Sequence, residues 1–196
     1  MTLTYVIGMD IGTSALKSIV VNKQGDVVTS HSVSYDTQHP QSGYSEIDPD
    51  IWYNAALDSL KYILTQYEPT EITGLSFSGQ MHGLVIIDAN GAVIRPAILW
   101  NDTRTSTEVE NIKNTVGLDT LLNQTQNTVL EGFTLPKLLW VKNNEPHNYS
   151  KISKFMLPKD YVVYKLTGNI FTEPSDAAGT IMFNVKTETW ATSLLQ

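Results

Sequence analysis

The chain contains no cysteine. Disulfides, thiolate nucleophiles and cysteine-based metal sites are therefore excluded, and a reducing compartment suits it. Cationic side chains are also scarce: 13 Lys and Arg stand against 20 Asp and Glu, a formal net charge of -7. No cluster of Lys and Arg offsets that balance. Such a chain has no general attraction for phosphate backbones or anionic lipid, so neither nucleic acid nor a membrane surface is an expected partner. Long apolar runs are missing as well. The longest are strand-sized, so no segment is expected to span a bilayer. Met1-Thr2-Leu3-Thr4-Tyr5 lacks the basic region and apolar stretch of a signal peptide, and a cytoplasmic location is the expectation. What remains is 41% apolar and 17% charged, the balance of a globular protein with a buried core rather than a disordered one. The 196 residues allow one large domain or two small ones.

Local patterning predicts an α/β fold. Tyr5 to Ile11 is an apolar run ending at Gly12-Thr13-Ser14, and a second β-rich run, Leu16 to Val21, follows at once. Asn22-Lys23-Gln24-Gly25-Asp26 is a turn, and Val27 to Tyr35 alternates like a third strand. The chain thus opens as an antiparallel β-β-β meander. Asp48 suits a helix N-cap and Pro49 the first helical position. Ile51, Trp52, Ala55, Ala56, Leu60, Ile63, Leu64 and Tyr67 recur at helical spacing, predicting a helix to Tyr67 that Pro69 closes. Strands are expected over Ile72 to Ser78 and Leu84 to Asp88, a hairpin turn at Asn90-Gly91, and a further apolar run over Pro96 to Trp100. Beyond Asn101 the chain becomes polar and helical, with helices at Thr134 to Val141 and Lys159 to Leu166, the latter stopped by Gly168. Phe171 to Phe183 reads as mixed strand and turn. Trp190 to Gln196 reads as the opening of an amphipathic helix, which suggests a fragment of a longer protein.

Several strings carry chemistry. In Gly8-Met9-Asp10-Ile11-Gly12-Thr13-Ser14, an aspartate ends a strand and a tight turn with two hydroxyls follows. Backbone N–H groups and hydroxyls of such a turn can cradle phosphate oxygens, and the carboxylate can hold Mg²⁺ directly or through its waters. The turn joins two strands and lacks the G-x-x-x-x-G-K-[ST] spacing, so it is no Walker loop. The same string also suits a hairpin turn with a solvated Asp. In Ser78-Gly79-Gln80-Met81-His82-Gly83, glycines flank a polar cluster between two strands, where polyol-binding side chains are often placed; a structural histidine bonded to backbone is the plainer reading. No second His sits at metal-ligand spacing. In Leu99-Trp100-Asn101-Asp102-Thr103-Arg104, Trp100, Asn101 and Asp102 could face a sugar, or Asn101 or Asp102 could simply cap the next helix. Leu157-Pro158-Lys159-Asp160-Tyr161 and Ser175-Asp176-Ala177-Ala178-Gly179-Thr180 read as a helix entry and a small-residue turn, with no catalytic role.

Taken in order, and joined by Asp48-Pro49-x-x-Trp52, Pro96-Ala97-Ile98-Leu99-Trp100-Asn101-Asp102 and Pro136-Lys137-Leu138-Leu139-Trp140, these strings resemble the FGGY family of carbohydrate kinases over essentially the whole chain. The resemblance is to its xylulose-phosphorylating members. It implies an actin-like, ribonuclease H-like ATPase domain: a mixed sheet opening with the antiparallel meander and flanked by helices. Residues 1–196 would be most of the N-terminal, sugar-binding domain, and the C-terminal nucleotide-binding domain is absent. The implied reaction is ATP-dependent phosphorylation of a sugar hydroxyl, most directly D-xylulose to D-xylulose 5-phosphate. ATP and Mg²⁺ are the implied co-substrate and metal, and the resemblance leaves a homodimer open. Asp10, Gly12, Thr13 and Ser14 would serve phosphate and Mg²⁺, with Asp10 as the metal residue. Met81 and His82 would contact the sugar, with Trp100, Asn101 and Asp102 near it. The family's catalytic base lies in a Gly-Asp-Asn/Gln motif well downstream of Ser175-Asp176. No such motif occurs here, so the base is expected beyond Gln196 and this stretch alone is expected to be inactive. The alternatives are another polyol kinase of the family, gluconate kinase above all, and a non-catalytic sugar-binding module.

Overall fold

The apolar residues of the opening meander alternate, and that alternation decides which face of the sheet is covered. The computed structural model describes residues 4–194. Strands β1 (Tyr5–Ile11), β2 (Ala15–Val21) and β3 (Val27–Ser34) form the expected antiparallel meander. Ile7, Met9 and Ile11 of β1 and Leu16, Ser18 and Val20 of β2 are buried on one face, while Val6, Asp10 and Lys17 point to the other. Strand β4 (Glu46–Ile47) leads into helix α1 (Pro49–Ile63), whose N-cap Asp48 accepts from Asp50 N at 3.0 Å. Trp52, Ala55, Ala56, Ser59 and Ile63 form its buried stripe, which packs on β2 and β3. A polar contact fixes this packing: Ser59 Oγ donates to the buried Ser18 Oγ at 2.7 Å. The helix ends at Ile63, short of the Tyr67 that periodicity suggested. The Thr65 hydroxyl takes the Tyr62 carbonyl at 2.7 Å, and the chain then enters a 3-10 turn at Pro69.

Strand β5 (Ile72–Gly79) returns parallel to β1, giving a mixed four-stranded sheet of order β3-β2-β1-β5. Parallel β1 and β5 end together, Ile11 opposite Gly79, so the turn after one strand and the loop after the other share an end of the sheet. Strand β6 (Val85–Ile87) precedes the expected turn, in which Asp88 Oδ1 accepts from Asn90 N and Ala92 N. Strand β7 (Ala97–Ile98) pairs with β4.

The helical half departs from the sequence reading in its boundaries. Helix α2 (Ser106–Val116) begins after Thr105, so neither Asn101 nor Asp102 caps it. Gly117, at φ 82°, separates it from α3 (Leu118–Thr125). Helix α4 (Thr134–Asn144) and the short α5 (Pro146–Tyr149) follow. Strand β8 (Lys154–Met156) pairs with β6, a pairing no local signal announced. Helix α6 (Pro158–Thr167) lies on β5 and α1 and ends at left-handed Gly168, as expected. The mixed segment resolves into α7 (Pro174–Ala178) and the hairpin β9 (Phe183–Asn184) and β10 (Thr189–Trp190). Trp190 therefore lies in a strand, and only Thr192–Leu194 form a 3-10 turn, so no helix opens at Trp190. Leu195 and Gln196, the end of that expected helix, lie outside the described residues. The main core sits between the sheet and α1 and α6. Among the described residues no helix is long and apolar enough to cross a membrane.

Candidate active site

The turn after β1 is braced from two sides. Gly12 N donates to Ala15 O at 3.0 Å, and Gly12 O accepts both the Tyr35 hydroxyl at 2.7 Å and Gln80 Nε2 at 3.1 Å. Burial, and next the charge of Asp10, push the Tyr35 phenol well above its ordinary range, so it stays protonated and remains a donor to that carbonyl. Asp10 is exposed on the open face of the sheet, and its Oδ1 accepts from Ser78 Oγ at 2.8 Å across the parallel pair. Its second oxygen has no partner among the described residues. Thr13 Oγ1 accepts from Trp100 Nε1 at 3.0 Å, while Ser14 is exposed.

The loop after β5 is bound to the same turn. Gln80 N donates to Ile11 O at 2.8 Å, and the Gln80 side chain is the one that reaches Gly12 O. Met81 is half-exposed. His82 sits at φ 62°, left-handed for a side chain that rarely adopts it, in a three-residue turn closed by Gly83 N to Met81 O at 2.8 Å. Its ring meets the Phe133 ring edge-on at 4.5 Å. Nδ1 is buried against Gly179 and makes no regular hydrogen bond. A Cβ on Gly179 would fall 2.2 Å from Nδ1. The Ser175–Thr180 string, assigned no role from sequence, thus supplies the one residue small enough to admit this imidazole. Burial, and next the Lys137 ammonium, push the His82 imidazole down to about 4, with the Gly179 backbone opposing as the smallest cause. The ring is neutral at pH 7, and Nε2 is the nitrogen left for a ligand.

The Trp-Asn-Asp string divides. Trp100 is 42% exposed and bonded to Thr13, and Asn101 is exposed beside it. With Glu131 and Gly132 they line an open hollow of about 460 Å³. Asp102 turns inward instead. It is 1% exposed, and its carboxylate accepts from Arg104 Nε at 2.8 Å, Arg104 Nη2 at 2.7 Å, Arg104 N at 3.0 Å and Ser45 N at 2.6 Å. Arg104 also reaches Glu46 at 2.7 Å and lies over the Tyr44 ring at 3.7 Å. Burial alone would lower the guanidinium; the carboxylates of Asp102 and Glu46 outweigh it and hold it above its usual value. Both Asp102 oxygens are thus engaged within the protein, although the residue borders the same hollow.

Sequence reasoning missed Lys137. It is fully buried on the first turn of α4, and its Nζ donates to His82 O at 3.0 Å and to Gly132 O. The signal was present, a lysine enclosed by Leu135, Pro136, Leu138 and Leu139. Lys159 was read only as a helix entry; it pairs with Asp160 at 2.7 Å and Asp176 at 3.0 Å.

The turn after β1, the Met81–His82 loop and Trp100 therefore converge at one end of the sheet. Residues 5–196 match the model of the FGGY family of carbohydrate kinases, N-terminal domain. The chain is 72% identical over 98% of its length to a xylulose kinase of Staphylococcus xylosus. Its fold is similar to that of a ligand-bound xylulose kinase from Lactobacillus acidophilus, with TM-score 0.92 and 30% identity over 98% of the chain. It is as similar to a gluconate kinase from Lactobacillus acidophilus, with TM-score 0.92 and 30% identity over 98% of the chain. The chain spans about 40% of the first relative's length and 39% of each solved chain. The motifs, the actin-like mixed sheet and these matches agree: the chain belongs to the FGGY family of carbohydrate kinases.

Proposed function

We propose that this chain is the sugar-binding part of a kinase that transfers the γ-phosphoryl group of ATP to D-xylulose. The observation that carries the reading is the Thr13–Trp100 hydrogen bond, together with Gln80 on Gly12. These bonds hold a phosphate-cradling turn against a polyol-binding loop, the juxtaposition that phosphoryl transfer to a hydroxyl requires. Met81 offers an apolar surface to the carbon chain, and His82 Nε2 bonds a hydroxyl. The Thr13 and Ser14 hydroxyls and the turn N–H groups face phosphate oxygens. Asp102 supports the site from behind through Arg104.

A divalent cation fits Asp10, which has one oxygen on Ser78 and one uncommitted; Mg²⁺ is commonly held by one or two carboxylates, waters and substrate phosphates. Among the described residues no group of three or more His, Asp and Glu is arranged around a metal, so the nucleotide would supply the remaining ligands. When bound, the cation offsets charge on the transferring phosphoryl group. A C-terminal domain, absent from this chain, would bind the adenosine and supply the base.

Gluconate is the second reading, because the fold matches a gluconate kinase as well as a xylulose kinase. The geometry favours the neutral sugar. His82 is uncharged at pH 7, and Lys137 donates inward to backbone, so the loop offers hydrogen bonds but no cation for a carboxylate. The test is a coupled ADP assay of the full-length polypeptide with Mg²⁺, ATP and each sugar. Higher kcat/KM for gluconate than for D-xylulose would overturn the choice, and turnover of neither would overturn the kinase reading.

A further inference from the structure

His82 occupies a backbone conformation that few side chains adopt, and something must hold it there. Both groups that reach its carbonyl come from the first turn of α4: Thr134 Oγ1 at 3.1 Å and Lys137 Nζ at 3.0 Å. Both side chains are completely buried. The second bond of Lys137 goes to Gly132 O. Gly132 in turn lies so close to Trp100 that a Cβ on it would fall 2.6 Å from Trp100 O. One ammonium thus ties the loop bearing Met81 and His82 to the segment against which Trp100 rests.

This is a costly way to join two loops. The ammonium is desolvated, and no carboxylate lies within ion-pair distance among the described residues. It also sits near the positive end of a helix, where a cation is disfavoured. Burial is the main cause that lowers the Lys137 ammonium to about 7. An apolar side chain would fill the same space at less cost, but could not take a carbonyl that a left-handed turn points inward.

We infer that Lys137, with Thr134, is a positioning residue of the sugar site: the two clamp the His82 carbonyl, fix the left-handed turn, and so hold the His82 ring in place between Phe133 and Gly179. This rests on the reading that the Met81–His82 loop binds the sugar.

The test uses the full-length polypeptide carrying Lys137→Met, Thr134→Val or Thr134→Ser. Two readouts are taken: KM for the sugar turned over best and for ATP, and the titration midpoint of the His82 imidazole by NMR. Lys137→Met is expected to raise the sugar KM about tenfold or more, the scale of leaving a buried carbonyl short of a donor, with the ATP KM within about twofold. Thr134→Val should raise the sugar KM several-fold, and Thr134→Ser, which keeps the hydroxyl, should behave as wild type. In parallel the His82 midpoint should rise toward its ordinary value in Thr134→Val but not in Thr134→Ser. That shift reports ring position, since no charge is removed. Sugar and ATP KM rising together, or a Thr134→Val protein with wild-type sugar KM and wild-type His82 titration, would overturn the inference. If Lys137→Met does not fold, the Thr134 pair decides by the same criteria. If the wild type phosphorylates no polyol, the kinase reading falls by itself, and the His82 titration still decides whether these residues position the ring.

Discussion

Replacing Asp102 with Ala separates a residue that builds the site from one that touches the sugar. The truncation removes a bidentate partner from Arg104, at 2.8 and 2.7 Å, and the acceptor of Ser45 N at 2.6 Å. Arg104, 1% exposed at the side chain, lies out of reach of bulk water. Removing one member of a buried ion pair typically costs about 3–5 kcal/mol, since the other charge stays buried. Arg104 keeps Glu46 at 2.7 Å and the Tyr44 ring, which places the expected loss near the lower end, about 3 kcal/mol. A domain stable by roughly 5–15 kcal/mol would then be markedly weakened. Urea unfolding followed by tryptophan fluorescence reads this directly, because the Arg104 guanidinium lies 4.8 Å from the Trp140 ring. The midpoint should fall with little change in m-value. A variant within about 1 kcal/mol of wild type that has lost sugar affinity would refute the reasoning and return Asp102 to the sugar.

Asp10→Ala in the full-length polypeptide should lower turnover by about 10²–10³ while sparing sugar affinity; near-normal steady-state turnover would remove Asp10 from the phosphate site. His82→Ala should weaken sugar binding by about 1–3 kcal/mol and leave ATP binding alone, and Gly179→Ala should do the same by displacing the ring; calorimetric titration of both ligands checks both variants. Lys137 is held at about 7 in the fold against 10.5 for the free side chain, so above pH 7 the folded state sheds a proton that the unfolded state keeps. Stability should therefore rise from about pH 7 to 9, by about 1.4 kcal/mol per unit from this group, and Lys137→Met should abolish that slope in unfolding curves taken across the range. The 196-residue chain by itself should not phosphorylate xylulose, because Asp48 caps α1, Asp88 holds a turn, Asp102 pairs with Arg104 and Asp176 with Lys159; turnover of about 1–100 per second in an ADP assay would mean that a base has been overlooked.

Part of this architecture is written in runs of a few neighbouring residues. The meander follows from alternation and the Gly12 and Gly25 turns. The start of α1 follows from Asp48-Pro49, and the end of α6 from Gly168. The family followed from seven ordered strings, because each keeps its residues within a short span. Tertiary structure alone decided what depends on residues far apart in the chain. The β6–β8 pairing joins segments that no local turn connects. Asp102 looked like a helix cap because Ser45, its distant partner, is brought to it by the pairing of β4 with β7. Gly179 looked like part of a bland turn because the ring it admits is His82, brought to it from a distant loop. The apolar neighbours of Lys137 hint at its burial, but only the packed loops supply the two backbone carbonyls it meets. Spacing along the chain encodes periodicity and caps; burial and partner choice are set only when the surfaces meet.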